Sequence, residues 1–150
     1  MKSIFDPTDI AEVINRINRL TPTTQPQWGK MNVGQMLAHC NVAYEQVYED
    51  KHPKPNALVR FMLKMFVKDA VVSEKPYQKN GRTAPAFLIT ESRDFETEKK
   101  RFIAYLNKTQ QLGESYFDGK ESNSFGTLTK TEWNNLFYKH LDHHLMQFGV

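Results

Sequence analysis

Two histidines four residues apart, His140 and His144, stand in the segment Tyr138-Lys-His-Leu-Asp-His-His-Leu-Met-Gln-Phe148. If this segment is helical, each residue turns about 100° around the axis. With Trp133 taken as zero, His140 and His144 fall about 20° to either side of it, flanked by Leu136 about 60° one way and by Phe137, Phe148 and Leu141 about 40° to 80° the other. Both imidazoles then point into the middle of the apolar face, while Asp142 turns toward solvent and His143 lies at the margin. A buried imidazole needs polar partners. One metal ion satisfies two of them at once, and His-x-x-x-His on a helix face is a recurrent metal-ligand spacing. Zinc proteases carry Glu after the first histidine; Leu141 stands there, so that mechanism is not supported. A plain core or surface pair is the competing reading, and pairing through His143 is the geometry that the angles disfavour.

A third ligand must come from elsewhere in the chain. His39 is the other histidine inside a predicted helix, at the edge of that helix's apolar face. Periodicity alone leaves open whether it is a ligand. Cys40 points roughly 100° away from His39 and reads as a small buried apolar residue. Gln35, one turn before His39, could orient it or line a pocket, or be a polar residue at the edge of the bundle. Trp28 could cap the bundle or wall a pocket. His52, between loop residues and Pro53, is expected to be exposed. Nothing places Tyr44 or Tyr138 at a site. No serine nucleophile motif and no Gly-rich phosphate loop is present, and no catalytic residue can be named.

Five helical segments must position these residues. The first covers residues 7–20, with Asp6 as cap and Pro7 at the first position. The second covers 33–49, capped by Asn32, with Val33, Met36, Cys40, Ala43, Tyr44 and Val47 as its buried face. The third covers 57–72, capped by Asn56; its apolar face holds Leu58, Phe61, Met62, Met65, Phe66 and Val72. A long connection over 73–93 includes an extended run, 86–89, that could form a minor strand. The fourth helix covers 95–112 between Asp94 and Gly113, with Phe95, Phe102, Leu106 and Leu112 as core. The fifth covers 130–148, opened by the capping box Thr129-x-x-Glu132. One apolar stripe per helix predicts an all-α bundle forming one domain over residues 1–150.

Composition narrows the function classes. A net charge of +3 from scattered Lys and Arg argues against nucleic acid. Lys51 to Lys54 reads as a solvated loop. A single cysteine excludes an internal disulfide, which fits a reducing cytoplasm. The N-terminal residues lack the apolar run of a secretory signal, and the most apolar segment, 57–72, carries Arg60, Lys64, Lys68 and Asp69, so no membrane span is expected.

Two segments carry a family resemblance: Trp28-Gly-Lys-Met-Asn-Val-Gly-Gln-Met-Leu-Ala-His39, and Leu128-Thr-x-x-Glu-Trp133 followed by Tyr138-Lys-His-Leu-Asp-His-His-Leu-x-Gln-Phe148. Together they resemble the DinB superfamily, in an uncharacterised bacterial branch, over most of the chain in helix order. The resemblance implies an up-down-down-up four-helix bundle, here with an additional short helix and long loops. It implies a divalent ion such as zinc or nickel held by His39, His140 and His144, with Gln35, Trp28 and His143 as pocket-lining candidates. Some such proteins are metal-dependent transferases or isomerases that use a low-molecular-weight thiol, and homodimers are common. Bare metal chemistry equally allows a hydrolase, and a closed coordination sphere would instead make a metal-stapled or metal-sensing module. One departure stands out: relatives often have His-Pro shortly before Phe-Gly ahead of the last helix, where this chain has Ser122-Asn-Ser124 before Phe125-Gly126.

Overall fold

A computed structural model describes residues 1–150. The chain is mostly helical: α1 (Pro7–Asn18), α2 (Val33–Tyr48), α3 (Ala57–Phe66), α4 (Lys68–Val72), α5 (Phe95–Phe117) and α6 (Lys130–Gln147), with a short hairpin of β1 (Glu121–Ser122) and β2 (Gly126–Thr127) before α6. No helix is long and apolar enough to cross a membrane.

The predicted caps form. Asp6 accepts from the backbone N–H groups of Thr8 and Asp9, Asn56 from Val59, and Asp94 from Thr97. Capping boxes close α2 through Asn32 and Gln35, and α6 through Thr129 and Glu132. These contacts satisfy N–H groups that have no partner within the helix.

α2 packs against α5 and α6, α1 against α5, and α5 against α6. The core between them includes Ile17, Met36, Phe102, Leu106, Phe137 and Leu145. Tyr44 is buried in this core, stacked on Phe137 at 4.6 Å, with its hydroxyl lacking a hydrogen-bond partner. α2 is buried around almost its whole circumference from Val33 to Glu45, because the 3-10 turn Pro85–Phe87 also lies against it. That turn takes the place of the minor strand allowed over 86–89. The chain's only strand pairing is the hairpin, in register Glu121 with Thr127 and Ser122 with Gly126.

Several expectations are corrected. α1 ends at Asn18, two residues early, though Leu20 is still buried. The predicted helix over 57–72 breaks at Val67 (φ −117°, ψ −33°) into α3 and α4. The break lets α4 dock on α6, where Asn135 donates to the Val72 carbonyl and Lys139 to those of Ala70 and Ser73. α3 does not bury its apolar stripe: Leu58 and Phe66 are each 72 % exposed, and Phe61, Met62 and Met65 lie open beside them. Leu63, on another face of α3, is the residue packed against the core. Gly113 kinks rather than stops the fourth helix, adopting φ 70°, and α5 resumes to Phe117 while Leu112 is exposed. Asp142 is only partly exposed, because it accepts from Arg16 of α1 at 2.6 Å.

His52 is half-buried rather than exposed. It lies 2.7 Å from Glu45, a carboxylate that also accepts from Lys51 and Arg101. Burial alone would raise the pKa of Glu45; the three donors outweigh it and hold the carboxyl below its ordinary value. Lys51, Pro53 and Lys54 are exposed in the loop, as expected, and Lys51 pairs from there with Glu45 and Glu49.

Candidate metal centre

α6 supplies His140 and His144, and α2 supplies His39. Their candidate ligand nitrogens all lie within 4.8 Å of one another. His39 Nε2 and His140 Nε2 are 2.8 Å apart, and the His144 ring centroid is 4.5 Å from that of His39. Ligand nitrogens around a tetrahedral zinc stand roughly 3.3 Å from each other, given metal–nitrogen bonds of about 2.0 to 2.1 Å. The triad already brackets that spacing, and the His39–His140 edge needs to open by about half an ångström.

The hydrogen bonds behind the rings decide which nitrogen faces the centre. The Phe87 carbonyl lies 2.8 Å from His39 Nδ1. A carbonyl only accepts, so Nδ1 carries the proton and Nε2 is left with its lone pair. His144 Nδ1 lies 2.7 Å from Gln147 Oε1. Gln147 Nε2 in turn donates to the Trp28 carbonyl at 2.7 Å, which fixes the amide with its oxygen toward His144. His144 is therefore also set with Nε2 bare. Without an ion, His140 Nε2–H donates to His39 Nε2; binding an ion requires His140 in its other neutral tautomer.

Burial lowers the pKa of all three imidazoles. The Phe87 bond partly opposes it at His39; His140 is driven well below its ordinary value, with the other histidines adding repulsion; His144 falls to about 3. All three are neutral at neutral pH, the form in which imidazole binds a metal.

The triad opens onto a cavity of about 350 Å³, lined by all three histidines and by His143. Two candidate lining residues do not reach it. Gln35 spends its side chain on the Asn32 backbone N–H as the second half of the capping box, and Trp28 packs edge-on against His143 at 5.8 Å. Trp28 contributes instead through its carbonyl, behind His144. Tyr138 also lies outside the lining, on the α6 face toward Asp142 and Arg16. Cys40 is buried in the core and takes no part in the triad.

Sequence reasoning missed Gln147 and Phe87. Gln147 carried a signal, since it lies three residues after His144 and so on the same side of α6. The Phe87 carbonyl carried none, because a backbone oxygen has no side-chain identity. Ser122, Asn123 and Ser124, from the loop ahead of the last helix, line the cavity.

The chain belongs to DUF1569, a family described as proteins of unknown function, whose model matches residues 2–149. No curated protein and no solved structure matches it.

Proposed function

We propose that this DUF1569 chain is a DinB-like metalloenzyme in which His39, His140 and His144 hold one divalent ion, zinc or nickel, and that it transfers a group to or from a low-molecular-weight thiol. The long helices α1, α2, α5 and α6 would form the up-down-down-up bundle. The observation that carries the metal reading is the pair of outer hydrogen bonds, Phe87 carbonyl to His39 and Gln147 to His144. They leave the inner nitrogens bare and convergent, the arrangement that orients metal ligands in general.

Catalysis is favoured over a structural staple by the cavity. Structural zinc sites close their coordination sphere with four protein ligands, whereas catalytic sites keep a position open. Here three ligands border a cavity of about 350 Å³, within the range that holds a small organic molecule. An ion bound there supplies Lewis acidity and lowers the pKa of a thiol or water at its open position. Thiol transfer is favoured over hydrolysis because the lining contains no Asp or Glu to serve as a carboxylate base. A thiol, with a pKa near 8.5, ionises on a cation with less help than water needs.

The open stripe on α3 supports a homodimer. Its five large side chains expose on the order of 600 Å², close to the roughly 800 Å² that each partner contributes to a standard interface.

Elemental analysis of untagged protein tests the site. We expect about one divalent ion per chain, lost in His39→Ala and in the His140→Ala/His144→Ala double variant. Metal-free wild type, or full metal content in the double variant, sinks the reading. A thiol-conjugation screen tests the reaction: turnover must need both the ion and the thiol.

A further inference from the structure

The cavity beside the three histidines has a mixed lining. Val47 of α2, Leu63 of α3, Val67 and Val71 at α4, and Leu136 of α6 are among its apolar residues. The connection between α4 and α5 contributes Arg82, the only Lys or Arg in the lining. Arg16, Arg60, Arg93 and Arg101 each pair with a carboxylate. Arg82, like Arg19, pairs with none, and the lining offers it no Asp or Glu. Arg82 is exposed and carries no carboxylate partner, so its guanidinium donors are free for a charge-assisted bond to an anion at the cavity.

A second consideration concerns the same cavity. The imidazole ligands are neutral and no carboxylate borders them, so an ion held there keeps its full positive charge against apolar walls. That field rejects cations and favours anions.

We infer that the cavity binds an organic acid with an apolar body, its hydrocarbon part laid against Val47, Leu63, Val67, Val71 and Leu136 and its carboxylate read by Arg82. This deepens the enzyme reading by naming the class of the second substrate, and rests on it for the role of that substrate. The binding of the acid is separable, because Arg82 belongs to the polypeptide and works without an ion.

The test uses full-length protein stripped of metal with a chelator, with decanoate as probe and 1-decanol and decylamine as controls of equal chain length. Binding is followed by calorimetry and by methyl NMR shifts of Val47, Leu63, Val71 and Leu136. Decanoate should bind and move those methyls, decanol should bind more weakly, and decylamine should not bind. Arg82→Gln should weaken decanoate about tenfold, the loss of one charge-assisted hydrogen bond, and leave decanol unchanged; Arg82→Lys should restore part of the difference. The side chain is exposed, so these variants should keep the fold, checked by circular dichroism. Equal binding of decanoate and decanol, binding of decylamine, no binding of any probe, or no effect of Arg82→Gln each overturns the inference. Failure of the metal reading shows separately, as absent metal with decanoate binding intact.

Discussion

Gln147 offers the sharpest perturbation, because it touches the site only through His144. Its amide accepts from His144 Nδ1 at 2.7 Å and donates to the Trp28 carbonyl at 2.7 Å, and the side chain is buried. Gln147→Leu keeps helix propensity and much of the volume but removes both bonds. His144 then loses the partner that fixes its tautomer and ring angle. Removing such an outer partner costs about 10- to 100-fold in metal affinity, equal to about 1.4 to 2.7 kcal/mol. The metal-free protein should lose about 1 to 3 kcal/mol as well, since a buried N–H and a buried carbonyl are left unpaired. The assay is chelator competition for zinc at pH 7.5, with urea unfolding of the metal-free form run in parallel. Asp142→Asn is the control: it weakens the Arg16 pair on the back of α6 and should leave zinc affinity unchanged. A folded Gln147→Leu protein that binds zinc within threefold of wild type would refute the tautomer argument.

Gly29 should behave like a partner of Gln147. It adopts φ +85°, and a Cβ there would stand 2.5 Å from Gln147 Nε2; Gly29→Ala should lower both the melting temperature and zinc affinity, measured by the same assays. Acid should destabilise the metal-free protein in a defined window. Burial depresses the folded pKa of the three histidines, to about 3 at His144, so their contribution is intact above the unfolded value near 6.5 and is lost as pH falls below it. Each can contribute up to about 1.4 kcal/mol per pH unit there, and urea midpoints of chelator-treated protein that stay flat from pH 7.5 to pH 5 would count against neutral buried imidazoles. On α3, Phe66→Glu with Met65→Glu should turn a dimer into a monomer by light scattering without altering metal content; a wild type that is monomeric throughout removes the dimer from the proposal.

Helix positions were legible in the sequence wherever the signal was local. The caps at Asp6, Asn32, Asn56, Asp94 and Thr129 are decided by one side chain and the next turn of backbone, and all five form. The failures occur where a distant partner decides. A stripe such as Leu58, Phe61, Met62, Met65 and Phe66 tells which side of α3 is apolar, but not whether this chain covers it. The break at Val67 follows from carbonyls of residues 70–73 being gripped by Asn135 and Lys139 of α6, more than sixty residues away. Glycine at positive φ commonly ends helices, yet beyond Gly113 the chain resumes as helix and buries Phe117.

The site divides along the same line. His140 and His144 could be chosen over His143 because angular position on one helix depends only on the helix itself, and His143 does sit at the margin, against Trp28 and Tyr77. His39 could not be settled that way. On α2 alone it lies at an edge; it becomes buried because Pro85–Phe87 folds over that edge and presents the Phe87 carbonyl to its ring. The burial that makes His39 a ligand and the bond that aims it thus come from one segment, which has no helical period from which to be read. A substitution confined to that turn, one that moves the Phe87 carbonyl without touching a histidine, should therefore weaken metal binding through His39 while His140 and His144 keep their places.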